Sequence, residues 1–386
     1  MKNDVVKWLF GFVLCVIIFI SCTSSPINEN KTKQVHYQVG MEMSFPFNQS
    51  RLYHGFPVIY HHSNNGTIMS LIYSIRQTNP NWIDKYEMNQ ENTIKVDSFR
   101  IPEEVFMNYK NAVQEFLVIG LDSFLIQPSY DINKGEHYFF EFSRQHFQTY
   151  LMPNEYKGQK FVMLTTNYNP VSYSNKQMIG RVYYLNGISE NYSTLDTMCK
   201  YNALVKMDLR DSSVTFFDTY NDIFCDNKID YEIVHYKMRV IKGDSIISLS
   251  PFEASFSIFT DQGKVIKPFE FEEFDEHFYE IEDPREELLK NNFFLSFNYN
   301  PFNKQFYLLM SEAVDYIKPD EFIQNPKQPK KFTVLVFDEK LNLQGKIHLS
   351  DEHSNMYDGI LLRSPNGFFL REVVDDVYRI QEFIIE

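Results

Sequence analysis

Ser364-Pro365-Asn366-Gly367 leads into Phe368-Phe369-Leu370-Arg371-Glu372-Val373, and after Val374-Asp375-Asp376-Val377 the chain runs on as Tyr378-Arg379-Ile380-Gln381-Glu382-Phe383-Ile384-Ile385. Pro and Asn-Gly are turn residues. The two runs beyond them, rich in β-branched and aromatic residues, read as an antiparallel hairpin over Gly367 to Val373 and Tyr378 to Ile385. This hairpin reaches almost to Glu386, which leaves no residues for an outer strand, while Val35 to Ser44 is a spare strand-like segment near the start. Pairing that segment with the last hairpin closes a ring of sheets and hides both edges.

Five further hairpins precede this one: Trp82 to Met88 with Thr93 to Phe99, His137 to Phe142 with Phe147 to Met152, Ala203 to Leu209 with Val214 to Tyr220, Ala254 to Thr260 with Lys264 to Phe271, and Phe332 to Phe337 with Leu343 to Leu349. Each of the six follows one more apolar run: Thr67 to Ser74, Gly120 to Gln127, Lys160 to Thr166, Ser245 to Leu249, Phe293 to Asn298 and Asp358 to Arg363. One inner strand plus a hairpin, repeated six times with little helical period, is the outline of an all-β, six-bladed β-propeller whose last blade is closed by an N-terminal strand. The third and fifth blades carry long insertions, Asn167 to Glu190 and Ser311 to Lys331. Tandem two-sheet sandwiches are the rival architecture and need a central linker, which the sequence lacks.

The start of the chain gives an address. Lys2 and Lys7 precede the uncharged run Trp8 to Ile20, and the small Ser21 stands before Cys22. That order is a secretory signal, with an apolar run too short for a span of about 20 residues. Phe19-Ile20-Ser21-Cys22 resembles the lipobox of bacterial lipoproteins, which implies cleavage after residue 21 and acylation of Cys22. Several acyl chains, each buried CH₂ contributing about 0.8 kcal/mol, make such an anchor effectively permanent. Residues 1–21 are then the signal peptide, 22–34 a polar tether reaching about 40 Å when extended, and 35–386 a single propeller domain. The implied place is the outer membrane of a bacterial cell envelope, facing the periplasm or the cell surface.

The 386 residues carry a formal net charge of −14 and are 16% aromatic, with 36 Phe and 25 Tyr. Removing Lys2, Lys7 and Asp4 with the signal takes the charge one unit lower. A chain this acidic, without a basic block, is a poor partner for nucleic acid, whose binding rests on phosphate neutralisation. Once Cys15 is cleaved away and Cys22 acylated, Cys199 and Cys225 remain. They flank the third hairpin symmetrically and would form a disulfide in an oxidising envelope, or else serve as two buried thiols.

The Phe-Ile-Ser-Cys anchor, the Phe/Tyr/Asn-rich mature chain and phrases such as Val118-Ile119-Gly120-Leu121-Asp122-Ser123-Phe124-Leu125 resemble exported Bacteroidota lipoproteins of domain-of-unknown-function family 4221. They are similar more loosely to six-bladed propeller lipoproteins of those bacteria. The resemblance implies the propeller and the envelope address; it supplies no activity.

The sequence lacks the His-Glu-x-x-His, Gly-x-Ser-x-Gly, phosphate-loop and Cys-x-x-Cys motifs. Three clusters remain. His54, His61 and His62 lie near the first blade, but adjacent His61 and His62 point to opposite sides of a strand and cannot share a metal. Asp218, Asp222, Asp226 and Asp230 would suit Ca²⁺, the one cofactor weighed, although their spacing and lack of Gly are not those of a calcium loop. Glu270, Glu272, Glu273, Asp275, Glu276, Glu280, Glu282 and Asp283 alternate with Phe271, Phe274, Phe278 and Tyr279, as a docking surface for a basic partner or a charged strand edge would. Asp196-Thr197-Met198 and Asp244-Ser245-Ile246 resemble O-glycosylation acceptors at Thr197 and Ser245. The favoured expectation is a lipid-anchored binding or scaffold module for a protein or small-molecule ligand. The alternative is an envelope hydrolase or lyase with carboxylates around the propeller channel.

Overall fold

The computed structural model describes residues 32–46, 58–64, 67–75, 81–88, 93–105, 113–128, 137–164, 171–184, 199–219, 237–272, 274, 291–313, 331–349, 360–374 and 377–386. Residues 34–386 form one compact unit. Strand β1 is Tyr37–Pro46 and is held for the last blade. Blade 1 is Val58–Asn64 (β2), Thr67–Ile75 (β3), Trp82–Met88 (β4) and Thr93–Arg100 (β5). Blade 2 is Val113–Gly120 (β6), Ser123–Pro128 (β7), His137–Ser143 (β8) and Phe147–Met152 (β9). Blade 3 holds Glu155–Tyr156 (β10), Gln159–Leu164 (β11), Ser172–Ser174 (β12), Gln177–Tyr184 (β13), Asn202–Asp208 (β14) and Ser213–Thr219 (β15). Blade 4 is Met238–Lys242 (β16), Ser245–Leu249 (β17), Ser255–Thr260 (β18) and Gly263–Pro268 (β19). Blade 5 is Phe293–Asn300 (β20), Gln305–Ser311 (β21), Phe332–Phe337 (β22) and Leu343–His348 (β23). Blade 6 is Ile360–Ser364 (β24), Gly367–Val374 (β25) and Val377–Ile385 (β26), completed by β1.

Every strand ladder is antiparallel, and the strands follow chain order across each sheet with two exceptions: β12 pairs with β13 beside β11, off the main path of blade 3, and β1 takes the outermost place beside β26, with Tyr37 opposite Ile385 and Pro46 opposite Val377. The six-bladed ring with its N-terminal closing strand is the architecture the sequence predicts. The hairpins lie where their periodicity places them. The single-inner-strand outline needs correction in five blades. In blades 1, 2 and 4 the run before the hairpin is the second strand, and β2, β6 and β16 lie inside it. Inner strands bear polar residues such as His61, His62, Arg239 and Lys242, which break the apolar signal. In blade 3, β13 lies inside the stretch read as an insertion, and in blade 5, β21 precedes one.

Side chains alternate across each strand, and both faces of a blade pack against neighbours. Middle strands are therefore apolar throughout: all six residues of β22 are buried. Among the described residues, apolar clusters fill the seams between blades 1 and 2, 2 and 3, 4 and 5, 5 and 6, and 6 and 1. Large rings suit these wedge-shaped gaps. Phe256 packs on Phe269, Phe297 and Phe337 at centroid distances of 4.9, 5.4 and 5.1 Å, and Phe368 stacks on Phe383 at 5.2 Å. Each such buried ring contributes roughly 2–3 kcal/mol by area, which explains the aromatic composition. The acid–aromatic stretch after β19 follows the same logic: Phe269, Phe271 and Phe274 are buried between blades 4 and 5, while Glu270 and Glu272 face solvent.

Candidate functional site at the channel mouth

The innermost strands run side by side around the axis, β16 beside β20 and β20 beside β24. At the end where β20 and β24 turn back into their blades, three blades bring polar side chains together. Arg363, the penultimate residue of β24, donates from Nε to Asn298 Oδ1 of β20 at 3.0 Å. Asn298 is held in turn, its Nδ2 donating to the Leu361 carbonyl at 3.2 Å. From blade 1, His61 Nε2 lies 2.7 Å from the Arg363 carbonyl, and Nδ1 lies 2.8 Å from Ser70 Oγ. A carbonyl only accepts, so Nε2 carries the proton and Nδ1 accepts from the serine. Burial lowers the His61 pKa below 6.5, and the ring is neutral at pH 7. Phe302, in the β20–β21 turn, meets His61 edge-on at 5.4 Å.

Arg363 is exposed although it sits on an innermost strand, and the solvent an innermost strand meets is that of the channel. Protein surrounds it there, and burial lowers its pKa. A guanidinium nevertheless stays charged at neutral pH.

A second polar constellation fills the seam between blades 3 and 4. The Asp218 side chain is fully buried; Oδ2 lies 3.1 Å from Lys237 Nζ and accepts from Ser248 Oγ at 2.9 Å, and Oδ1 lies 3.0 Å from Lys264 Nζ. Oδ1 also accepts the Thr219 amide at 2.9 Å. Asp218 has φ 59°, in the left-handed region that Asp and Asn tolerate best among residues with side chains. Burial pushes its carboxyl up, but the two lysines outweigh it, and the pKa falls below the ordinary value. Burial prevails at Glu253, in the β17–β18 connection, against the pull of Lys237, and raises its pKa. Arg239 ties the same seam to β13 by donating from Nε to the Ile179 carbonyl at 2.9 Å.

His61 and His62 do face opposite ways, His61 toward blade 6 and His62 beside Met69 on the other side of the ladder. Asp218 is taken up by its lysines and Ser248 and is not open to a cation, and no cluster of metal-binding side chains occurs among the described residues. Ser245 opens β17 after the Gly243-Asp244 turn and is half-buried. Cys199 lies just ahead of β14. Cys22, His54, Thr197, Cys225, Asp222, Asp226, Asp230, Glu273 and residues 275–283 lie outside the described residues. Sequence reasoning missed Arg363, Asn298 and Phe302. The available signal was a charge closing the apolar run Ile360-Leu361-Leu362, a place where a blade strand needs none.

Solved structures resemble this ring, although no family model and no curated protein matches the chain. A member of the domain-of-unknown-function family 4221 from Bacteroides vulgatus superposes with a TM-score of 0.61 at 12% identity, over 92% of this chain and 99% of that one. The two share a fold. A catalytically inactive virginiamycin B lyase from Staphylococcus aureus with quinupristin gives a TM-score of 0.38 at 8% identity, over 90% of this chain and 99% of that one. AofleA from Arthrobotrys oligospora gives 0.39 at 8% identity, over 90% and 88%. Scores this low carry no inference about this chain.

Proposed function

We propose that the chain is a lipoprotein anchored through Cys22 in the bacterial cell envelope, on the outer membrane, and that its propeller is a binding or scaffold module. The observation that carries the binding reading is the channel mouth, where side chains of three blades meet and Arg363 and Phe302 face solvent beside the half-buried His61. Strand β1 starts at the end of the ring where Ile385 lies, the end of the short turns. A tether of residues 22–34 would lead into this strand. Cys199 is disulfide-bonded, which supports a Cys199–Cys225 bridge. Glycosylation at Thr197 and Ser245 is part of the same envelope reading, with a hexose mass on those residues in native protein as its check.

The test is crosslinking and pull-down from native membranes with Cys22 intact, beside a Cys22→Ala variant. The expected result is capture of a partner or ligand by the anchored protein and loss of membrane association in the variant. Unchanged association of the variant would remove the anchor, and protease shaving of intact cells separates surface from periplasmic display. The alternative, a hydrolase or lyase with carboxylates around the channel, draws on the opposite pKa shifts of Asp218 and Glu253, a pattern typical of acid–base pairs. Those two acids lie between blades, with Asp218 fully engaged, which favours a structural role.

A further inference from the structure

We propose that the channel mouth binds a small organic monoanion, a carboxylate with a flat apolar body, through Arg363. This rests on the reading of the channel as a ligand site and names the ligand class.

Four observations converge on Arg363. The other solvent-facing arginines among the described residues each have an acidic partner: Arg100 has Glu103, Arg144 has Asp97, Arg210 has Asp208, and Arg379 has Glu42. Arg363 has an amide instead, Asn298, and no carboxylate among the described residues pairs with it. In a protein of net charge −14, an arginine kept apart from acids is a departure from the general pattern. The geometry is the second observation. The bond from Nε to Asn298 Oδ1 fixes the guanidinium plane and leaves the terminal pair of nitrogens as a planar fork, the shape that matches a carboxylate with two parallel hydrogen bonds.

The surroundings supply the other two. Lys242, the neighbouring cation on β16, is tied to the Glu339 carbonyl at 2.6 Å and to its carboxylate at 3.4 Å, and His61 is neutral with both ring nitrogens engaged. Of these three groups Arg363 alone carries an uncommitted positive charge, which suits a monoanion. The adjoining wall is aromatic, with Phe302 exposed and braced by the His61 ring. Asn298 holds the guanidinium in place, so an anion arriving there meets a preorganised donor.

Isothermal titration of the mature chain with Cys22→Ala, using sodium benzoate as probe and benzamide, acetate and inorganic phosphate as companions, tests this. Benzoate is expected to bind about tenfold or more tightly than neutral benzamide, because a charged hydrogen-bonded pair is lost with the amide. It should also outbind acetate, which has no flat body, and phosphate, which carries excess charge. Arg363→Gln should lose about tenfold or more in benzoate affinity while keeping the melting temperature of the unliganded protein, and Phe302→Ala should weaken benzoate but leave acetate unchanged. Equal binding of benzoate and benzamide, undiminished binding by Arg363→Gln, preference for phosphate, or no anion binding at all would overturn the proposal. Partner capture from membranes that persists in Arg363→Gln, together with silence toward every anion, would overturn the ligand class alone and leave the broader binding role standing.

Discussion

Tyr37 lies opposite Ile385 in the outer ladder of blade 6, so two segments from opposite ends of the domain complete one sheet. Met43 of the closing strand is 4% exposed and packs with Ile72 of blade 1 and with Phe369 and Ile380 of blade 6. Met43→Ala should therefore cost about 2–5 kcal/mol, the range for a large-to-small change in a core. Val39 on the same strand is 55% exposed, and Val39→Ala should cost far less. Urea unfolding of both variants checks the contrast; equal effects would mean that the closing strand adds nothing to the seam.

The Asp218 network makes a second expectation. Asn tolerates the left-handed backbone as Asp does, so Asp218→Asn removes charge without altering the local turn. It takes the Asp218 charge away from Lys237, whose side chain is 6% exposed. The expected loss is about 3–5 kcal/mol, typical of a broken buried pair. Because the folded-state pKa of Asp218 is depressed, its contribution is complete above the unfolded carboxyl pKa and disappears as pH falls through the lower folded value. Wild type and variant should converge in stability in strong acid, as denaturant titrations at stepped pH would report.

Glu253 carries the opposite sign. Its folded pKa is raised by burial, so the folded state holds the proton more tightly and stability declines as pH rises from the unfolded value through the folded one. Glu253→Gln should melt higher than wild type at pH 7 and lose that advantage below the ordinary carboxyl range. A variant that melts lower at pH 7 would show that attraction to Lys237 outweighs desolvation.

Gly367 opens β25 with its Cα against the neighbouring strand, and an added Cβ would fall 2.0 Å from the Phe383 carbonyl oxygen. Backbone cannot yield as a side-chain tip can. Gly367→Ala should cost about 1–3 kcal/mol from overpacking. Gly158, with φ 79° and nothing near its Cβ position, serves as the comparison; Ala there pays only backbone strain of about 1–2 kcal/mol. Thermal melts of the two variants side by side distinguish contact from conformation.

Local pattern was enough for the hairpins. Turn residues such as Asp261-Gln262-Gly263 and Ser364-Pro365-Asn366-Gly367 sit between runs of strand-forming side chains, and both signals are short-range. The innermost strands were harder to read. Their side chains face the channel or a neighbouring blade according to ring geometry, and polar residues like Arg239 and His61 obscure the alternation.

The chain by itself determined the class of architecture, the number of blades and the segment that closes the ring, because strand periodicity and turn chemistry are local properties that do not depend on what packs against them. Only the tertiary structure decided that one seam is built on Asp218, Lys237 and Lys264 while the others are apolar, and that among the described residues no acid pairs with Arg363. These residues come from different blades, and an ion pair or its absence is set by distance in space, which sequence separation does not encode.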